Sequence, residues 1–210
     1  MKRSYLPVAL GAILASLTAT FPAQAHHVMG GELPTTFIEG LLSGLAHPVI
    51  GLDHFAFVVG VGLAASTLAN RFLLPAVFVA ATIVGVFAHL VEMNIPLVEI
   101  LIALSVLAAG VLLVSGRHYQ SGVWMTLFAI AGLLHGYAYG EAIVGAEPSP
   151  LLAYFLGFIV IQYGVAILTA TIADRLVHTA RHMPNLVTRI GGGVVAGVGL
   201  TVFVNLILPA

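Results

Sequence analysis

Six apolar runs constrain this chain more than any other feature. They cover approximately Phe37–Leu68, Phe72–Val91, Leu97–Ser115, Gly122–Ile143, Pro150–Ala173 and Val187–Leu208. A helix of about 20 apolar residues crosses the hydrocarbon core of a bilayer. Backbone polar groups at that depth must be satisfied within the segment, so the runs are expected as helices. The connections are short and hold proline, glycine and charge, as in Glu92-Met93-Asn94-Ile95-Pro96, Gly116-Arg117-His118 and Glu147-Pro148-Ser149-Pro150. Only 7% of the residues are charged and 60% are hydrophobic, whereas a soluble domain carries about 25% charged residues. Mean hydropathy is +1.10. The expected fold class is an all-α polytopic membrane protein built as a six-helix transmembrane bundle. Gly44, Pro48 and Gly51 predict a break or kink inside the long first run.

Composition also excludes several functions. A net charge of -1 leaves no basic surface for nucleic acid. The chain has no cysteine, so disulfides, thiolate metal sites and cysteine catalysis are absent. It has no nucleotide-binding P-loop.

The amino terminus reads as a cleaved signal peptide over residues 1–25. Lys2 and Arg3 precede an apolar stretch from Val8 to Ala19, and Ala23-Gln24-Ala25 is an A-x-A cleavage site. Residues 26–36 then form a periplasmic segment and 37–210 the six-helix domain. With the mature amino terminus outside, Arg71, Arg117, Arg175, Arg181 and Arg189 all fall on the cytoplasmic side, as the positive-inside rule requires. The expected location is the bacterial inner membrane, multi-pass in the lipid bilayer, with both mature termini periplasmic. Oligomeric state is left open.

Ionisable residues within apolar spans are expensive and point to function. The octet His47-Pro48-Val49-Ile50-Gly51-Leu52-Asp53-His54 places two imidazoles and a carboxylate in the first span. This ligand set suits a divalent first-row transition metal. His47 and His54 are seven residues apart, so a regular helix would put them on one face, with Asp53 about 100° away. Asp53 either completes a site or orients an imidazole. By helix rise, Asp53 and His54 would lie about one and a half turns deeper than His47. The fourth span carries His135-Gly136-Tyr137-Ala138-Tyr139-Gly140-Glu141, where an acid again follows a histidine by six residues. That likeness suggests two inverted three-helix halves with a site near the midplane. Gly132, Gly136 and Gly140 recur every four residues, the spacing of a close helix seam. His89, Glu99 and Glu141 fall in the outer half. The expected order along an inward path is an acidic rim, an imidazole layer and a deeper Asp–His pair.

Cleavage after Ala25 would expose His26-His27 as a new terminus. The α-amine and the imidazole of His26 can chelate one ion, with His27 adding nitrogen, so both are candidates for metal capture.

At these residues the chain resembles the HupE/UreJ family of nickel and cobalt permeases. The resemblance rests on the exported amino terminus, the octet, Pro96-x-x-Glu99 with Ser105 in the third span, and the HGYAYGE stretch of the fourth. It covers the mature chain. It implies a small secondary carrier or facilitator moving Ni2+ or Co2+ inward for metalloenzyme or cobalamin supply. The ion would be the transported substrate, with no permanently bound cofactor and no enzymatic activity. By resemblance, His47, Asp53 and His54 bind the ion in transit, with His135 and Glu99 contributing. Two positions depart from the family pattern. Val58 stands where many members have methionine. In the fourth span Tyr139 replaces a histidine and Glu141 comes one position early. His89, on a neighbouring helix, is the candidate to supply the missing imidazole.

The alternatives are a membrane metalloenzyme or a haem-binding protein using the same histidines, and a channel for urea or ammonia. The chain has no H-E-x-x-H motif, and a deeply placed Asp53 suits a cation better than a neutral solute.

Overall fold

A computed structural model describes residues 32–179 and 185–208. The signal peptide 1–25, His26 and His27 lie outside them. All regular structure among the described residues is helical: α1 (Phe37–Ile50), α2 (Leu52–Ala65), α3 (Leu73–Leu90), α4 (Val98–Ser115), α5 (Ser121–Glu141), α6 (Pro148–Thr179) and α7 (Leu186–Ile207). Helices α3 to α7 are each long and apolar enough to cross a membrane. The α1–α2 pair would make a sixth span, bent by 80° at its break.

The break has a local cause. Pro48 lies inside α1 and has no N–H, so the Gly44 carbonyl loses its helical partner. The helix ends three residues later at Gly51, whose backbone is extended (φ -70, ψ 108). The start of α1 is fixed by a reciprocal cap. Glu39 N–H donates to Thr36 Oγ1 at 3.2 Å, and the Glu39 carboxylate accepts from Thr36 N–H at 3.1 Å and Thr35 N–H at 2.8 Å. Glu39 is thus a capping acid.

Three helix pairs pack most extensively: α3 with α5, α4 with α7, and α1 with α6. Helix α2 runs through the middle, touching α3, α4, α6 and α7. Polar side chains point inward, with Ser43, His47, His54, Thr82, Ser105, His135 and Gln162 all buried. Large aliphatic and aromatic residues such as Val84, Phe87, Val160 and Leu168 are exposed. That arrangement suits a surface solvated by lipid.

Two of the pairs are joined by glycine seams in the same register. Gly40 and Gly44 of α1 lie against the backbone of Pro150 and Tyr154 of α6. Gly132 of α5 meets Phe78, and Gly136 meets Thr82, both on α3. Reciprocally, Gly157 of α6 meets Leu41 and Leu45, and Gly85 of α3 meets Leu133 and Tyr137. Gly40, Leu41, Gly44 and Leu45 therefore match Gly132, Leu133, Gly136 and Tyr137. Pro150, Tyr154 and Gly157 match Phe78, Thr82 and Gly85. This register sets His47 against Tyr139 rather than against His135. The His-to-acid spacing that drew attention in the sequence is not the spacing of the helix contacts.

Not every glycine is a contact. A Cβ on Gly164 would meet nothing within 4 Å. Gly164→Ala is expected to leave thermal stability in detergent unchanged or raise it by about 1 kcal/mol or less, because glycine weakens a helix interior. A clear fall in melting temperature would contradict an open surface there.

Candidate metal-transit site

The break at Gly51 assembles the site. In a continuous helix His47 and His54 would be separated by about 10 Å of rise. Here their rings stack with centroids 6.2 Å apart. The two rings are therefore closer than a straight helix would set them, because the chain bends by 80° at the break. Gly51 leaves room for this. A Cβ there would stand 3.0 Å from the His54 ring and 3.3 Å from the Asp53 carboxylate.

His135, from α5, completes a cluster of three buried imidazoles. Its Nδ1 lies 3.0 Å from His54 Nδ1 and its Nε2 lies 3.1 Å from Ser105 Oγ. The proton positions follow from the acceptors. Ser105 Oγ donates to the Ile102 carbonyl at 2.7 Å. His135 Nε2–H therefore donates to Ser105, and His135 Nδ1 accepts from His54 Nδ1–H. The same reasoning applies to His47. Tyr154 donates to the Tyr139 carbonyl at 2.9 Å, so its oxygen accepts from His47 Nδ1–H at 3.4 Å.

Aromatic rings enclose the cluster. Tyr139 stands edge-on to His47 at 5.2 Å and to His54 at 4.6 Å. Phe57 lies 4.4 Å from the His135 ring, with Phe78 at 6.2 Å. These rings hold the imidazoles in place. Asp53 sits in the first turn of α2, where the positive helix end favours a carboxylate. Its Oδ1 accepts from His54 N–H at 2.8 Å and is 3.8 Å from His54 Nδ1. Asp53 is thus placed to orient His54 and to lend the cluster negative charge.

The 3.0 Å between the two Nδ1 atoms matters chemically. Metal–nitrogen bonds of about 2.1 Å at right angles put two ligand nitrogens about 3.0 Å apart. The proton shared by His54 and His135 thus occupies a gap of the size that neighbouring ligands of one ion require. Among the described residues, no three His or carboxylate side chains are already gathered in metal-holding geometry. An ion bridging this pair would complete its shell with water or by rotation of a neighbouring group.

The other sequence candidates lie elsewhere. Glu99 is exposed in the first turn of α4, and Glu141 is exposed at the last residue of α5. His89, at the end of α3, is half-buried with its ring 4.5 Å from Tyr137, whose hydroxyl donates to the Met93 carbonyl at 2.6 Å. The buried His89 Nδ1 has no hydrogen-bond partner. These three residues line the end of the bundle where α3 and α5 finish and α4 begins. Tyr139 and Tyr154 are further neighbours of the cluster that residue type alone does not mark. Tyr154 carries no signal in the sequence, since a tyrosine near a span end is ordinary.

A family model described as HupE / UreJ protein matches residues 13–202. Protein HupE of Rhizobium leguminosarum bv. viciae is 29% identical over 207 residues, covering 98% of this chain and 100% of that one. No solved structure matches.

Proposed function

The chain belongs to the HupE/UreJ family, and on that premise we propose that it is a membrane carrier or facilitator for Ni2+ or Co2+, moving the ion inward across the bacterial inner membrane. One observation carries the reading: a broken helix that sets His54 Nδ1 3.0 Å from His135 Nδ1 inside an aromatic shell. Broken helices at the midplane expose backbone ends and side chains to a transported ion. Imidazole nitrogens bind first-row ions, and binding displaces the proton they share. His47, His54 and His135 act as ligands in transit, and Asp53 balances the charge. Glu99, Glu141 and His89 serve the approach at the outer end.

The two matched glycine seams support an architecture of inverted halves. The α1–α2 span, α3 and α4 would form one half and α5, α6 and α7 the other. The paired helices then exchange as a twofold axis requires: the α1–α6 seam maps onto the α5–α3 seam, and the α4–α7 pair maps onto itself. Such an axis would pass between His47 and Tyr139, with the imidazoles at the interface of the halves. The signal peptide 1–25, the periplasmic segment 26–36 and metal capture by His26 and His27 belong to the same reading. An inside-negative potential contributes about 2.3 kcal/mol per charge per 100 mV, so a divalent ion is drawn inward without nucleotide hydrolysis.

The test is uptake of 63Ni2+ by cells expressing the chain, with Co2+ competition and Asp53→Asn beside it. Asparagine keeps an acceptor for His54 N–H and removes the charge. Saturable uptake, competed by Co2+ and lost in Asp53→Asn, is the expected result. Absence of uptake with the protein in the membrane overturns the reading.

A further inference from the structure

Two buried side-chain oxygens, one of them on a ring that touches the imidazole cluster, are not used by the protein itself. The Tyr139 hydroxyl and the Gln162 side-chain carbonyl are buried and have no hydrogen-bond partner. Both residues are fully enclosed. Leaving such groups unpaired inside a protein is costly, and each one calls for an explanation. Other buried hydroxyls are satisfied by their own helices, as Thr82 is by the Val79 carbonyl at 2.8 Å and Ser105 by the Ile102 carbonyl.

The orientation of Gln162 is set by its neighbours. Its Nε2 donates to the Phe158 carbonyl at 3.3 Å and to Thr82 Oγ1 at 3.5 Å. Thr82 has already committed its proton to Val79. Turning the amide over would set two carbonyl oxygens face to face. The Gln162 oxygen is therefore the end left over. The Tyr139 ring lies 6.0 Å from the ring of Phe158, the residue whose carbonyl takes the Gln162 amide. Thr82, which the Gln162 amide reaches, lies with its backbone against Gly136, the residue after His135. Tyr139 also touches His47 and His54. Gln162 lies two turns beyond Tyr154 along α6, on the way to Asp174 and Arg175.

We propose that Tyr139 and Gln162, with Thr82 holding the amide in place, form a second transit subsite that takes the divalent cation and its water as it leaves the imidazoles. This deepens the transport reading above and rests on it. Nitrogen ligands hold first-row ions firmly, whereas uncharged oxygens hold them weakly. Conduction needs sites strong enough to fill and weak enough to empty. Uncharged oxygens of this kind meet the second need. They rehydrate the ion without adding a charge that would trap it. The subsite therefore governs release, and its loss lowers the maximal rate rather than the affinity of capture.

The probe is 63Ni2+ uptake kinetics in the full chain, comparing Gln162→Leu and Tyr139→Phe with the unaltered protein. Both substitutions keep the size of the side chain and remove only polar atoms. Gln162→Leu is expected to lower maximal uptake roughly tenfold, the equivalent of one tenfold barrier step, with the half-saturating concentration unchanged. Tyr139→Phe shifts the same quantity in the same direction. Filling the interior with leucine suits a role in packing alone, so unaltered kinetics in both variants overturns the subsite. A raised half-saturating concentration at full maximal rate also overturns it, since it places these groups in capture. If Gln162→Leu fails to reach the membrane, Tyr139→Phe alone decides by the same criteria. Failure of the transport reading looks different, because the unaltered chain then shows no saturable uptake, and both fall together.

Discussion

Uptake of Ni2+ or Co2+ by the His54→Ala chain is expected to fall more than about 100-fold, beyond the loss that follows when only a supporting partner of a metal ligand is removed. His54 is the junction of the site. It receives Asp53 at its own backbone, stacks on His47, shares a proton with His135 and packs against Tyr139. Alanine removes all of these contacts except the backbone bond. His135→Ala should be as severe, because it removes the other half of the 3.0 Å pair. Ser105→Ala is the informative milder case. It deletes the acceptor that holds the His135 tautomer and should cost about 10- to 100-fold in apparent affinity. Membrane abundance measured beside uptake separates transport from folding. Near-normal uptake in His54→Ala would remove the cluster from the ion's path.

The second large effect is structural. Gly44→Leu and Gly136→Leu should each prevent accumulation of folded protein, with a cost above about 3 kcal/mol. A side chain on Gly44 runs into the Tyr154 carbonyl, and one on Gly136 runs into the Thr82 carbonyl. Backbone on rigid helices cannot step aside as a flexible side chain can. The pair also tests the matched seams, since two glycines at equivalent positions should fail alike. Gly164→Leu, facing open space, is the control for leucine itself. Normal folding of either seam variant would break the register that relates the two helix pairs.

Some of the site was legible before any tertiary contact. The octet sets His47, Asp53 and His54 within one apolar run of the chain, and an isolated histidine beside Gly132 and Gly136 marks His135 as facing a neighbouring helix. Gln162, a lone amide in an apolar run, is equally visible in the sequence. Tyr154 was not legible, because its role depends on α6 lying beside α1. Nor was the separation of Glu99 and Glu141 from the cluster. Glu99 and Glu141 lie within or at the end of their helices, and their exposure is set by which way each helix end turns.

The sequence by itself determined the class of fold, five of the long apolar helices and the presence of a break near Pro48. Those follow from local rules: apolar length against bilayer thickness, and the missing N–H of proline. Only the tertiary structure decided what the break accomplishes. Helical periodicity assigns faces on a straight helix, and it stacks His54 below His47. Once the chain turns by 80° at Gly51, periodicity no longer relates the two residues. Their distance is then set by the glycine seams that clamp α1 to α6 and α5 to α3, and by the path of α2 between them. Close approach of helix backbones is a property of pairs, so no single segment encodes it alone.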